Sequence, residues 1–234
     1  MKAEASRNVA DKIGELHALA SYVHMLCMQG NTIEAEKHLL RLQEIAQTPQ
    51  LTESARSDFW HAIAFYWMAQ LDFVRAQQAW QESLSCADQV SFRKFTTKRH
   101  WLGLCMYKAG KLDEAKILLR EVLADAIQQS YQRSAAFCRV QLASIDIDQR
   151  NSEGVVEALE VSRAHADQYQ DRPCLAAIHH TTAHFHVLRN EIPAACAALA
   201  EAIDLYERLG MRRELAEART ELARLDDLGG VSAV

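Results

Sequence analysis

Apolar and polar residues alternate with the periodicity of an α-helix most clearly between positions 102 and 123 of the chain. Apolar residues recur there at three- and four-residue spacing, beginning with Leu102 and Met106, which is typical of amphipathic helices. Gly110 divides the stretch, because glycine can adopt the positive φ that ends a helix. Asp113 follows in the first turn of the next helix, where the helix dipole favours an anion. The pattern predicts two antiparallel helices, a helical hairpin.

The same unit repeats along the whole chain. A small residue recurs near the start of each second helix, 39 to 41 residues after the previous one, at Ala35, Ala76, Ala115, Gly154 and Ala195. The residues predicted to end the first helices are Gly30, Leu71, Gly110, Gln149 and Asn190. We predict hairpins at 8–47, 52–88, 91–128, 130–169 and 171–209, a capping helix at 211–227 and a flexible tail at 229–234. Because each hairpin can bury its apolar face only against its neighbours, residues 1–228 should form a single domain.

The third hairpin resembles the tetratricopeptide-repeat (TPR) family. The resemblance rests on Leu102-Gly103 in the first helix, Gly110 at the turn and Ala115 in the second helix. It implies an all-α fold in which five antiparallel hairpins stack into a right-handed superhelical solenoid. The period near forty exceeds the roughly 34 residues of a TPR and lies within the range of HEAT-type repeats. We favour TPR-like hairpins with lengthened helices, because the Leu-Asp-Glu-Ala turn at 112–115 is a TPR feature.

The composition agrees with a helical protein and argues against several functions. Only eight glycines and three prolines occur in 234 residues, which suits an all-helical chain. A net charge of −5, without a basic helix face, argues against direct nucleic-acid contact. The sequence has no phosphate-binding loop, nucleophile elbow or zinc-protease motif. We therefore predict a protein that is not an enzyme and needs no cofactor.

The cysteines and the apolar runs indicate the compartment. None of the six cysteines forms a C-x-x-C pair, so they are expected to be buried free thiols in a reducing environment. The first twelve residues lack the apolar core of a signal peptide. The longest apolar run, around 63–68, is too short to span a membrane. The sequence predicts a cytoplasmic protein without membrane contact.

Histidines concentrate on one predicted surface. In a stack of hairpins the first helices line the concave side, and the residues that follow the apolar seam include His61, His100, Arg139 and His180. Residues one turn further along each helix point the same way. The complete predicted groove consists of His17, His24, His61, Phe65, Met68, His100, Tyr107, Arg139, His180 and His184.

This predicted groove suits a ligand with an anionic or hydrogen-bonding end and an apolar body. Arg139 would bind the charge, histidines near their titration point would donate hydrogen bonds, and aromatic and methionine residues would contact the apolar part. The alternative is that histidine is merely tolerated on a half-exposed helix face. His180 and His184 also have the i, i+4 spacing of two metal ligands, but the sequence shows no third ligand, so no metal site is predicted.

Residues 202–219 are similar to the closing repeat of large bacterial signalling regulators of the MalT/LuxR type or the cyclase type. Such regulators join helical repeats to a nucleotide-binding module and often to a DNA-binding module. The resemblance implies a sensor or interaction module that binds a protein, a peptide or a small effector in its groove. A constitutive protein–protein interaction scaffold, or an adaptor that self-associates as a homodimer, is the alternative.

Overall fold

The chain is described by a computed structural model that gives the backbone of residues 2–49, 51–87 and 92–231, and the side chains of residues 10–49, 51–87 and 92–227. These residues form eleven α-helices and no strand, which confirms the all-α prediction. The helices are α1 (Lys2–Met28), α2 (Thr32–Ala46), α3 (Glu53–Ala69), α4 (Phe73–Ser85), α5 (Phe92–Lys108), α6 (Leu112–Gln128), α7 (Gln132–Asp148), α8 (Val155–Tyr169), α9 (Arg172–Leu188), α10 (Ile192–Leu209) and α11 (Arg212–Val231).

The chain divides into two compact units, unit 1 (Met1–Ala115) and unit 2 (Lys116–Val234). In unit 1, α1 packs against α2 and α3, and α4 packs against α3 and α5. In unit 2, α9 packs against α7, α8 and α10, and α10 also packs against α11. First helices of neighbouring hairpins are therefore in direct contact within each unit. The single domain at residues 1–228 stays a prediction.

Local sequence explains where several helices begin. The hydroxyl of Thr52 accepts a hydrogen bond from the backbone N–H of Ala55 (3.2 Å), and the carboxylate of Asp72 accepts one from the N–H of Arg75 (3.0 Å). Each side chain thereby satisfies an N–H that has no partner within its helix. Pro173 lies in the first turn of α9, where a missing N–H is tolerated.

A residue with left-handed backbone ends the first helix of each hairpin. These residues have φ between 56° and 78° and are Gly30, Leu71, Gly110, Arg150 and Asn190. The N–H of the next residue donates to the carbonyl oxygen five positions earlier, as Asp72 does to Trp67 at 3.0 Å, and this bond closes the helix. The prediction of Gln149 at the fourth turn is wrong, because its φ is −80° and Arg150 adopts the left-handed conformation instead.

Small buried residues mark the same position in four of the second helices. Ala35, Ala76, Ala115 and Ala195 are each 0% exposed and each lie four positions after the residue that closes the turn. In α8 the equivalent residue is Val155, which is 1% exposed. The assignment of Gly154 to this position is wrong by one residue, because Gly154 is exposed, has φ 72° and precedes the helix. The small size of Gly154 suggested that two helices pack closely at this position. Glycine is suited to this position instead because the backbone there adopts a positive φ just before α8.

All six cysteines are free thiols, in agreement with the sequence prediction. Those that are buried are Cys27, Cys105, Cys138 and Cys174, and those that are half-buried are Cys86 and Cys196. Burial raises the pKa of the thiols of Cys27, Cys105 and Cys174 to about 12. Because the thiolate is the reactive form, these buried thiols are unreactive near neutral pH.

Both ends of the chain differ from the prediction. α1 begins at Lys2, ahead of the predicted start at residue 8. α11 continues to Val231, so the predicted helix end at 227 is wrong and the first part of the predicted tail is helical, while residues 232–234 lie outside the described residues. Gly229 and Gly230 lie within this last part of α11. Each glycine costs about 1 kcal/mol in a helix relative to alanine, but unlike proline it keeps the backbone N–H that the helix needs, so the helix continues. In the part of the chain that is described, no helix combines the length and the apolar character needed to cross a membrane.

Candidate functional site

Aromatic and imidazole rings from three helices meet in unit 1. The ring of His24 on α1 stacks on Phe65 of α3, with centroids 3.7 Å apart and an interplanar angle of 18°. Phe65 also meets Trp101 of α5 edge-on at 4.8 Å, and His61 lies 4.8 Å from Phe65 and 5.2 Å from His24. These four residues are called the ring cluster below. It connects the first helices of three hairpins.

The ring cluster is supported from the core by Trp80 of α4. Trp80 is fully buried, and its ring lies edge-on 5.1 Å from His61 and 5.2 Å from Phe65. Its indole N–H donates to the sulfur of Met68 at 3.3 Å, which satisfies the polar group of the ring. Phe65 and Met68 are only 3% and 9% exposed, so these two predicted groove residues offer little surface to a ligand.

A charged cluster lies beside the rings, on the same three helices. His17 Nδ1 is 2.9 Å from one oxygen of Asp58, and the ammonium of Lys98 donates to the other oxygen at 3.3 Å. Lys98 also donates to the hydroxyl of Ser57, and Lys94 lies 3.7 Å from Asp58. The Lys98 side chain is 5% exposed and that of Lys94 is 56% exposed. The charged cluster therefore runs from the interior to the surface.

The contact between Ser57 and Lys98 is structural. The Ser57 hydroxyl donates to the carbonyl oxygen of Ser83 at 2.6 Å, and the Ser83 hydroxyl returns a bond to the Ser57 carbonyl at 2.7 Å. Ser57 and Ser83 are 2% and 0% exposed. A serine nucleophile needs a substrate within reach of its oxygen, whereas this oxygen is enclosed and connects α3 to α4.

The histidines of the ring cluster are neutral at pH 7. Burial lowers the pKa of His24 to about 4, and burial, with the charges of His24 and Lys98, lowers that of His61 to about 3. The prediction that these two histidines lie near their titration point is therefore wrong. A neutral imidazole still offers one donor and one acceptor. His61 Nδ1 is buried and makes no hydrogen bond to the described residues, although such a group ordinarily costs about 1–3 kcal/mol.

The charges of Asp58 and Lys98 are maintained against the cost of burial. Burial alone would raise the pKa of Asp58, but the charges of Lys98 and Lys94 outweigh it and hold the pKa below its usual range. Burial lowers the pKa of Lys98 below its usual range, in spite of the neighbouring Asp58. One carboxylate thus does not fully compensate for taking this ammonium out of water.

A second cluster lies in unit 2 and joins three helices. Nε2 of His180 and Nε2 of His184, both on α9, lie 3.1 Å and 2.8 Å from the same carboxylate oxygen of Glu221 on α11. Nδ1 of His180 is 3.2 Å from the hydroxyl of Tyr206 on α10. We call His180, His184 and Glu221 the histidine–glutamate cluster. One ligand atom from each lies within 4.8 Å of the others, so these residues are candidates for holding a metal ion.

The protonation of this second cluster follows from its contacts. Burial would raise the pKa of Glu221, but the hydrogen bonds from His180 and His184 outweigh it and hold the pKa well below the usual range. Burial raises the pKa of Tyr206 far above its ordinary value, so the hydroxyl stays protonated. Glu221 also borders a shallow depression of about 340 Å³ whose other lining residues are Ala216, Glu217, Thr220 and Arg224.

The remaining residues of the predicted groove do not all offer surface. His100 is 5% exposed and packs 5.4 Å from Trp101. Tyr107 lies 5.8 Å from the ammonium of Lys108, and Arg139 is half-buried on α7. The structure thus brings His24, His61 and Phe65 together in unit 1 and His180 and His184 together in unit 2. A groove that contains all ten residues stays a prediction.

Sequence reasoning missed the acidic partners of the histidines. His17 and Asp58, Ser57 and Lys98, and His180 and Glu221 are each 41 residues apart in sequence. This separation is close to the repeat period of 39 to 41 residues, so residues at the same or nearby positions of neighbouring first helices come into contact. Complementary side chains one period apart were the signal that could have found them. In this register, α11 takes the position of a sixth first helix.

Comparison with known proteins supports the fold alone. No protein-family model and no curated protein sequence matches the chain. The chain is similar to the nearly identical TPR-like repeats of a Podosopora anserina protein assigned as a kinesin light chain (TM-score 0.57, 18% identity, 84% of this chain and 97% of that chain covered). It is also similar to a single-residue variant of those repeats (TM-score 0.53, 19% identity, 93% and 97% covered). These similarities confirm the predicted TPR-like hairpins.

Proposed function

We propose that this chain is a non-catalytic helical-repeat module that binds a peptide segment of a partner protein along the first helices of unit 1. The observation that carries the proposal is the ring cluster, in which His24, Phe65 and Trp101 extend contact across α1, α3 and α5. An extended peptide needs exposed contacts on successive first helices. The half-buried rings of His24 on α1 and Trp101 on α5, whose centroids are 6.2 Å apart, provide them above the buried Phe65. The TPR-like fold supports the proposal, since it sets first helices side by side.

The chemistry of these residues defines the peptide that we expect. His24 and Trp101 are half-buried and still present ring surface, which suits an apolar or aromatic side chain. In the charged cluster two ammonium groups, from Lys94 and Lys98, face the single carboxylate of Asp58. The exposed Lys94 leaves this end positive, and it suits an acidic side chain or a terminal carboxylate. The expected peptide therefore carries an acidic group next to an apolar residue.

The biological setting that we propose is a bacterial signalling or transcriptional regulator, with this chain as its cytoplasmic sensor or interaction module. The support is the similarity of residues 202–219 to the closing repeat of such regulators. A small effector with the same combination of an anionic end and an apolar body is the other ligand that these residues suit. Binding would then order the first helices against one another, as ligands do in repeat proteins whose units contact only their neighbours.

A second candidate function is a constitutive scaffold or self-associating adaptor. The observation that favours it is the exposed apolar surface on the second helices of unit 1. Ile33 and Leu40 on α2 and Val74 on α4 are 76%, 62% and 70% exposed, and a partner that covered them would remove this apolar surface from water. Such an adaptor would bind its partner through α2 and α4, and the ring cluster would not take part.

A peptide selection on the whole chain separates the two candidates. We expect peptides selected from a random displayed library to contain an acidic residue beside an apolar one. Their affinity should fall at least tenfold in a His24→Ala/Trp101→Ala variant and stay unchanged in an Ile33→Ser/Val74→Ser control, measured by fluorescence anisotropy. The reverse pattern would assign binding to the second helices and overturn the proposal.

A further inference from the structure

We propose that His180, His184 and Glu221 form a binding site for a divalent transition-metal ion, and that Zn²⁺ is the ion it fits best. The site lies in unit 2 and is independent of the peptide surface proposed for unit 1. It uses two imidazole nitrogens one helical turn apart on α9 and a carboxylate that α11 brings to them.

Two of the three distances between ligand atoms are close to those around a tetrahedral ion, and all three are within 4.8 Å. With Zn–N and Zn–O bonds of about 2.0–2.1 Å, neighbouring ligand atoms of a tetrahedron are about 3.3 Å apart. The Glu221 oxygen lies 3.1 Å from Nε2 of His180 and 2.8 Å from Nε2 of His184. Both separations are within about half an ångström of that edge. Small side-chain rotations would therefore open the hydrogen-bonded cluster enough to admit an ion between the three atoms.

The hydrogen bond to Tyr206 supports the same interpretation. A histidine that binds a metal through Nε2 must carry its proton on Nδ1, and a second group usually accepts that proton and orients the ring. The Tyr206 hydroxyl lies 3.2 Å from Nδ1 of His180 and is 4% exposed. Tyr206 is thus a positioning residue, held in the core of α9–α11, that presents Nε2 of His180 to the ion.

The donor set selects among ions. Two imidazoles and one carboxylate are poor ligands for Ca²⁺ and Mg²⁺, which prefer sites made of oxygen atoms. The same set binds Zn²⁺ in the tetrahedral geometry that this ion prefers, and Co²⁺ can take the same geometry as a spectroscopic probe. The side chains of His184 and Glu221 are 38% and 33% exposed, so an ion can enter from solvent. Three protein ligands leave a fourth position for water or for a group of a bound molecule.

Metal binding would join the last helix of the chain to the hairpin before it. Two ligands belong to α9 and one to α11. An ion that binds the folded protein but not the unfolded chain stabilises the folded state by mass action. The expected consequence is a rise in the melting temperature of unit 2 that depends on the concentration of Zn²⁺.

Cobalt spectroscopy on the whole chain, after removal of metal with a chelator, tests the site directly. We expect one Co²⁺ per chain with the visible absorption of four-coordinate cobalt, and its displacement by one equivalent of Zn²⁺. In His184→Ala and in Glu221→Gln the Zn²⁺ affinity should fall at least tenfold, as measured by competition with a chromophoric chelator. His184 and Glu221 are partly exposed, so both variants should fold, and circular dichroism checks this.

The matched control is His186→Ala. His186 lies on the same helix but bonds to Glu191 at 2.7 Å, outside the cluster. Its variant should bind Zn²⁺ with unchanged affinity. Equal losses in all three variants would show diffuse binding to the ten histidines of the chain, and unchanged affinity in His184→Ala and Glu221→Gln would show that the ion binds elsewhere. Either result would overturn the proposal and leave the peptide-binding proposal for unit 1 untouched.

Discussion

The junction between neighbouring first helices holds charged side chains in unit 1 and apolar side chains in unit 2. In unit 1 the Ser83 hydroxyl on α4 donates to the carbonyl oxygen of Ser57 on α3, and in unit 2 the Ser162 hydroxyl on α8 donates to the carbonyl oxygen of Ala136 on α7, each across 26 residues. These two contacts are equivalent, so α7 and α8 follow α3 and α4 in register by 79 residues (162 − 83 = 79). In this register Ser57 and Asp58 of unit 1 correspond to Ala136 and Phe137 of unit 2. Because α9 (Arg172–Leu188) follows α5 (Phe92–Lys108) by 80 residues, Lys98 corresponds to Ile178.

The comparison shows that the fold does not require the charges of unit 1. Ile178 is buried in the apolar core of unit 2 and Phe137 packs against that core, whereas the same positions in unit 1 hold a buried Lys98 and Asp58. Replacing a buried ion pair by apolar groups of similar volume is often neutral or stabilising. A charged junction where an apolar one would serve is what we expect if unit 1 uses its polar groups for binding.

Removing one charge from the unit 1 junction should have the largest effect. Asp58→Asn leaves the Lys98 ammonium buried without its carboxylate and should destabilise unit 1 by about 3 kcal/mol, the lower end of the range for a broken buried ion pair, because Asp58 is 22% exposed. The measurement is urea unfolding followed by tryptophan fluorescence, since all four tryptophans lie in unit 1.

The double variant Asp58→Asn/Lys98→Met is the control for this effect. It makes the junction resemble the apolar one of unit 2 and should recover most of the lost stability. If the double variant were less stable than Asp58→Asn alone, the buried Lys98 would not be the source of the cost, and the comparison of the two junctions would lose its energetic basis.

Acidification should weaken unit 1 before unit 2. The folded pKa values of His24 and His61, about 4 and about 3, lie below the value of 6.5 for an unperturbed histidine. The unfolded chain therefore binds more protons below pH 6.5, and stability is lost as the pH falls toward 4. At pH 5.5 we expect a loss of about 2 kcal/mol in unit 1, after allowing for the partial exposure of His24. Glu221 has a lowered pKa, so its contribution to unit 2 is lost only below about pH 4.5.

Hydrogen exchange followed by mass spectrometry measures this difference between the units. Amides of α3 should lose more protection than amides of α9 between pH 7.5 and 5.5, after correction for the intrinsic rates. Burial also lowers the pKa of His179 on α9, but α3 depends on two such histidines. A His24→Gln/His61→Gln variant should show the same protection of α3 at both pH values. Equal losses in both units, or a loss that persists in the variant, would contradict the assignment to these two histidines.

The turns offer the smallest test, with opposite signs in the two units. Arg150 adopts φ 56° in unit 2 and Gly110 adopts φ 78° in unit 1. The left-handed conformation strains a residue with a Cβ by about 1–2 kcal/mol, and part of this is offset because glycine loses more entropy on folding. We expect Arg150→Gly to stabilise the protein and Gly110→Arg to destabilise it, each by about 0.5–1 kcal/mol, in urea unfolding. A Cβ at Gly110 would meet nothing within 4 Å, so a larger loss there would point to a cause other than backbone strain.

Much of the fold could be predicted from sequence because its signals are local. The apolar periodicity, the cap at Asp72 and the glycine at Gly110 each act within a few residues. The turn at Arg150 could not be found in the same way, because arginine carries no preference for a positive φ, and the repeat spacing placed the turn one residue early.

The candidate sites depend on contacts that a single helix does not reveal. The i, i+4 spacing put His180 and His184 on one face, but Glu221 reaches them only because α11 packs in the register of a first helix. Helical periodicity likewise cannot distinguish a face that lines a groove from one that packs on a neighbouring helix. For that reason Phe65 and His100 were predicted to contact a ligand, although both are buried against their neighbours.

The distribution of the thiols has a practical consequence. Cys86 lies in unit 1 and Cys196 in unit 2, and both are half-buried, while the other four cysteines are enclosed in the cores. Alkylating reagents at mildly alkaline pH should modify these two positions first. The natural chain thus already carries one attachment point for a fluorescent or spin label in each half, without engineering.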